Sequence, residues 1–289
     1  MASLQEVKMR IASVNSTRKI TSAMKMVASS KLHRAQQAIE GMRPYQSQLS
    51  SMMERFLSST QGEVSSPYAQ SRPIQKVAIV AISSNSSLCG GFNTNVAKRL
   101  EDTIVACRQQ GIRDITVYPI GNKIAESARK LGFGCSESAA YAAMLDHPQY
   151  VRIVTLAQEL MDKFVQKEFD QVIVLYHQFK STSTQLLLHD TMLPVDLSNR
   201  SATTVQSDYI IEPSAPELLA SLLPLSISLR LFTAILDSLA SEHAARVMAM
   251  QIATDNADDL LRELTLTYNK TRQQAITNEL LDIAGGSAR

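Results

Sequence analysis

Both ends of this 289-residue chain repeat apolar or small residues at gaps of three and four over many turns, and no compact domain encloses helices of that length. The first stripe runs from Leu4 through Val7, Ile11, Val14, Thr17, Thr21, Met24, Ala28, Leu32, Ala35, Ile39, Met42, Tyr45, Leu49, Met52 and Phe56. At ~1.5 Å per residue, a helix over about residues 3–58 spans roughly 80 Å. The second stripe starts near Leu218 and passes through Leu229, Leu236, His243, Met250, Ala257, Leu264 and Thr271 to Ile276, Leu280 and Ile283, a helix of roughly 105 Å. Two such rods in one chain most simply pair antiparallel as a coiled coil. The ladder Ala240, Ala244, Ala245, Ala249, Ala253 and Ala257 suits close approach of the two backbones. Pro44 is expected to kink the first rod, and Pro224 marks either a kink in the second or its start.

The middle of the chain changes period. Lys76–Ser83, Asp114–Gly121 and Asp170–Phe179 are short β-rich runs, with helical stretches expected at about 93–110, 122–131 and 149–168 between them. Continuous apolar strands alternating with helices indicate a mostly parallel sheet covered on both faces, and Thr184–Leu193 is expected to add an edge strand. The fold class is therefore α/β plus a long antiparallel coiled coil, with a Rossmann-like α/β domain inserted between the paired terminal helices. The expected boundaries are 1–58 for the first coiled-coil helix, 74–196 for the α/β domain and 209–289 for the second helix.

Charge is distributed unevenly. Residues 1–43 carry eight cations against only Glu6 and Glu40, a local charge of +6 in a chain of +2. A basic rod is read either as a solvated face or as a surface for an acidic partner: nucleic acid, anionic lipid or protein. Cys89, Cys107 and Cys135 show neither CxxC nor metal-ligand spacing, and their odd number argues against a disulfide framework. The beginning MASLQEVKMR has no apolar signal core, so use on the cytoplasmic side is expected.

Motifs for chemistry are sparse. There is neither GxxxxGK[ST] nor a GxGxxG after a strand. The segment 83–95, SSNSSLCGGFNTN, joins a strand to a helix, where Gly90 and Gly91 read as a tight turn before they read as an anion site. Cys89 at that helix start invites a nucleophile reading, but no histidine is near it in sequence. The five histidines have no metal-binding spacing, and no catalytic, cofactor or metal site is expected.

The terminal helices carry more than heptads. Residues 10–36, RIASVNSTRKITSAMKMVASSKLHRAQ, resemble the N-terminal helix of the gamma subunit of F-type ATP synthases. Ser241–Asn256, Leu264–Gln273 and Ile276–Ser287 resemble that family's C-terminal helix, and SLCGGFN at 87–93 its central glycine turn. Departures fall at Asn85 and Ser87, at Ser287, and at Pro224. The resemblance implies a single asymmetric rotor shaft within three alpha and three beta subunits, resting on the c ring and touching the epsilon subunit. It implies one copy per complex, no catalysis of its own, no nucleic acid, and a peripheral place on the cytoplasmic face of the bacterial inner membrane. It also implies that Met24, Lys25, Lys31, Arg34, Arg246, Arg272 and Gln273 face the beta subunits, with Asn269 and Thr277 nearby. Tyr209 and Glu212 are implied to touch the c ring. The alternatives are a coiled-coil scaffold with a non-catalytic α/β domain, a nucleic-acid-binding scaffold, and a degenerate α/β enzyme.

Overall fold

The structure is a computed structural model that describes residues 3–59, 66–196, 212 and 214–286. It divides into two compact units, Met1–Ser29 with Arg246–Arg289, and Ser30–Ala245. Two long helices contribute to both: α1, Leu4–Ser59, and α6, Ala215–Gly286. Helix α1 opens on a capping arrangement legible in its first residues, Ser3-x-x-Glu6. The Ser3 hydroxyl accepts the Glu6 N–H at 3.2 Å, satisfying one of the orphan amides of the first turn.

The larger unit is built on a four-stranded sheet in the order β2-β1-β3-β4, from β1 Lys76–Ile82, β2 Asp114–Ile120, β3 Gln171–Phe179 and β4 Gln185–Leu193. β1 lies parallel to both β2 and β3, and β4 closes one side antiparallel to β3. The intervening helices are α2 Phe92–Gln109, α3 Asn122–Lys130, α4 Ser138–Asp146 and α5 Tyr150–Val165. Every residue of β1 from Val77 to Ile82 is fully buried because it feeds two cores. Val77, Ile79 and Ala81 face α2 and α3, while Ala78, Val80 and Ile82 face α5, α6 and the α1 residues Leu32 and Ile39.

This second core corrects the picture of a bare two-helix shaft over the stretch within this unit. Ala240 and Ala244 are wholly buried in a cluster that includes strand and α5 residues as well as α1, so the helix pair is backed by a sheet. Nearly every side chain of α6 from Ile227 to Ala240 is buried or half-buried.

Helix α6 also substitutes for a missing strand. β1 pairs with β3 only as far as Leu175, whereas β4 follows β3 to Phe179. On the overhang, the Ser238 Oγ lies 3.5 Å from the His177 amide, the Ser241 hydroxyl donates to the His177 carbonyl at 3.2 Å, and the Asp237 carboxylate accepts the Phe179 N–H. The His177 ring stacks on Phe92 with centroids 4.4 Å apart.

Burial moves two of these groups in opposite directions. It pushes the Asp237 carboxyl up to about 6, against the Phe179 N–H and the charge of Arg43, and it pulls His177 down to about 4. Protonating His177 costs stability as pH falls from its ordinary value near 6.5 toward 4. Over nearly the same range Asp237 takes up a proton more readily folded than unfolded, which restores stability. D237N removes only the restoring half. Its denaturation midpoint in urea is therefore expected to fall more between pH 7 and pH 4.5 than that of the parent chain; an equal or smaller fall would show that Asp237 is not buried in this way.

Both prolines lie inside helices. α6 starts at Ala215, so Pro224 is inside the helix and does not begin it. α1 runs through Pro44, but its buried stripe changes phase there: Met42 is followed by Gln46, Leu49, Met53 and Phe56. Tyr45 and Met52, expected on the seam, are 48% and 55% exposed. Met53 and Phe56 instead pack on Leu219 and Leu223 at the start of α6.

Candidate partner-binding surfaces

In the smaller unit, residues 4–29 of α1 and 246–286 of α6 pair antiparallel. Arg18 bonds Asp258 at 3.0 Å, and one turn further along α1 the Thr21 hydroxyl meets that of Thr254 at 2.8 Å, one turn back along α6. Val7, Thr21 and Ala28 are buried on one helix, and Met250 and Ala257 on the other. Thr21, Ala28 and Ala257 bring small side chains to this seam beside Val7 and Met250. The Arg18–Asp258 pair is about 40% exposed on each side, 39% and 42%, and fixes register more than it adds stability.

α6 is the longer helix of this unit, and among the described residues its last turns have no counterpart. Leu261, Leu264, Tyr268 and Thr271 are half-buried there, Leu264 and Thr271 as the stripe predicts. From Arg272 to Leu281 every residue is exposed, including Ile276 and Leu280 at 47% and 61%. Those apolar residues, expected to continue the seam, are instead a bare helical tip.

The residues singled out in sequence are distributed as follows. Met24 and Lys25 are half-buried on the flank of α1 in the smaller unit, and Arg246 is half-buried on α6 of the same unit. Arg272 and Gln273 stand at the base of the bare tip. In the larger unit Lys31 and Arg34 are exposed on α1, and Glu212 is exposed ahead of α6; Tyr209 lies outside the described residues. Lys25, Lys31, Arg34 and Arg272 have no ion-pair partner among the described residues.

The glycine turn after β1 is a self-satisfied polar knot. The Ser84 N–H donates to Asn93 Oδ1 at 3.1 Å, and Asn93 Nδ2 lies 3.1 Å from the Cys89 sulfur. Cys89 is 1% exposed. Asn85 donates to the Ala142 carbonyl at 2.9 Å and to Asp146 at 3.0 Å, and accepts the Asn122 N–H. It thereby ties the turn to α3 and α4. Helix α4 was not foreseen in sequence. Among the described residues no cluster of His, Cys, Asp and Glu has the geometry to hold a metal.

An antiparallel helix pair that carries an inserted, mostly parallel α/β domain is the architecture of rotary central stalks. The rotor of the Euglena gracilis mitochondrial ATP synthase superposes with a TM-score of 0.61 at 16% identity, over 94% of this chain and 98% of that one. In sequence, a family model described as ATP synthase matches residues 3–288. The ATP synthase gamma chain of Bacteroides fragilis is 56% identical, and that of Phocaeicola vulgatus 51%, each over 99% of both chains. The chain belongs to the ATP synthase gamma chain family.

Proposed function

We propose that this chain is the rotating central shaft of an F-type ATP synthase, coupling ion-driven rotation of a c ring to the conformational cycle of the catalytic beta subunits. The observation that carries the proposal is end-to-end similarity to gamma chains at more than half identity. The chain is itself non-catalytic in this reading. Three alpha and three beta subunits surround it, an epsilon subunit lies against the α/β domain, and the assembly sits at the cytoplasmic face of the bacterial inner membrane. The coiled-coil parts 1–58 and 209–289 form the shaft, and 74–196 braces its foot.

The site residues take roles within this reading. Lys25 on the smaller unit, and Lys31 and Arg34 on the larger, are cations with no ion-pair partner among the described residues, and Met24 and Arg246 are assigned to the same partner by resemblance. They suit acidic levers on the beta subunits, because screened attraction without fixed pairing lets a surface slide. A buried ion pair would hold it in place. Arg272 and Gln273, on the bare tip, are assigned to a second beta contact, and Tyr209 and Glu212 to the c ring. A shaft of this kind works by presenting different contacts to otherwise identical subunits, each of which then settles into a different state. Purified membrane complex is expected to contain one copy of this chain for three alpha and three beta subunits. Abundance equal to that of beta, or absence from the complex, would overturn the assignment.

A further inference from the structure

We propose that the outer edge of β2 is a docking groove for an extended, basic segment of a partner protein, which adds to the sheet as a fifth strand. A cleft of 430 Å³ opens beside this strand. Successive side chains of a strand point to opposite faces, yet Ile115, Thr116, Val117 and Tyr118 all line the cleft. Only the edge of a strand presents four consecutive residues to one space. β1 occupies the inner edge of β2, and among the described residues no strand and no other hydrogen bond reaches the backbone of 115–118 from outside.

An open edge of four residues, ~13 Å long, is a template for strand addition. Pro119 has no N–H to offer and ends the template on one side, a position that edge strands tolerate. The far wall is the turn from Gly132 to Glu137, beyond which α4 packs on β2, with the Tyr141 ring 6.0 Å from that of Tyr118.

Charge selects the occupant. Lys163 is engaged within the protein: its Nζ is 2.6 Å from Glu159 Oε1 and 3.0 Å from the Tyr118 hydroxyl. Glu137 receives only the Tyr141 hydroxyl, at 2.7 Å, and has no cation among the described residues. The lining therefore holds one unbalanced carboxylate next to unpaired strand amides and carbonyls. A segment with a guanidinium or ammonium facing Glu137 completes both, whereas an acidic segment meets repulsion from Glu137 and Glu159. The open edge and the Glu137 carboxylate are present whether or not the chain is a rotor.

The test uses the full chain and a capped hexapeptide of alternating Val and Thr with Arg at its third position. At ~1 mM probe, amide exchange across 114–120 is expected to slow by about tenfold or more. E137Q is expected to weaken binding by about tenfold. V117P removes an edge donor, because the Ser83 N–H bond to the Ile120 carbonyl turns the even-numbered residues of β2 toward β1 and the odd-numbered ones outward; it is expected to abolish binding, with an unchanged far-ultraviolet spectrum showing that the fold persists. Unchanged exchange with the probe overturns the proposal, as does equal protection by the same peptide with Glu in place of Arg. Protection that rises with chain concentration in the absence of probe would make the occupant a second copy of this chain, and also overturns it.

Discussion

Replacing Asp170 with Ala is expected to destabilise the larger unit by about 3–5 kcal/mol, seen as a melting temperature lower by on the order of 10 °C. Asp170 sits just ahead of β3 and gathers the chain before β1. Its carboxylate accepts the Gln75 and Lys76 N–H groups at 2.9 and 3.0 Å and pairs with the Arg72 guanidinium at 2.7 Å. Arg72 in turn donates to the Phe164 and Phe169 carbonyls and lies 4.5 Å over the Phe164 ring. The two side chains are only 19% and 11% exposed, so removing one leaves the other charged, buried and unpaired. Burial alone would raise the Asp170 carboxyl, but the two amides and Arg72 outweigh it and hold the group below the ordinary carboxylate range. This contribution is fully present above about pH 4 and is lost as pH falls through the lower folded value. D170A is therefore expected to flatten the acid limb of the stability profile as well as to lower the plateau. A loss under about 1 kcal/mol at neutral pH would contradict the clamp.

G121A is expected to be comparably damaging, at about 2–5 kcal/mol, by a mechanism that involves no charge. Gly121 joins β2 to α3 with φ at +117°, a region closed to residues with a Cβ. A Cβ built there would lie 2.8 Å from the Ser83 hydroxyl and 2.9 Å from the Ser83 carbonyl oxygen, and the backbone of a fully buried strand end cannot retreat. The same Ser83 hydroxyl accepts the Ile124 N–H at 2.9 Å, so the clash would also disturb the start of α3. Urea denaturation of G121A and G132A distinguishes clash from strain. Gly132 also has positive φ, +90°, but open space around it, so its replacement is expected to cost distinctly less.

The sequence made the four strands legible nearly to the residue, because a continuous apolar run of six or seven bounded by polar residues has few other readings. The long helices were equally clear, since a period of three and four maintained over many turns survives local exceptions. What it concealed follows from the same physics. The phase change at Pro44 replaces a three-residue step with a four-residue step, and both Tyr45 and Gln46 are compatible with a half-buried seam. The alanines of α6 could be read only as permitting close approach; that a sheet and α5, as well as α1, do the approaching is a tertiary fact. Helix α4, nine residues between a Gly/Ser-rich turn and a His-Pro, is too short to show a period. The exposed tip was hidden because Ile276, Leu280 and Ile283 keep helical spacing whether or not a neighbour covers them. The candidate partner residues came from family resemblance and not from pattern; the structure adds that Lys25, Lys31, Arg34 and Arg272 have no ion-pair partner among the described residues.

The central claim is that this chain turns inside the ring of beta subunits and touches them through residues such as Met24 and Arg272. The most direct measurement places a cysteine at position 24 or 272, in a chain otherwise free of reactive thiols, opposite a cysteine in the beta subunit of the assembled complex. Oxidation is expected to join this chain to a single beta subunit and to stop ATP turnover, and reduction to restore it. Absence of a cross-link from both positions, or a cross-linked complex that turns over at its full rate, would contradict the account.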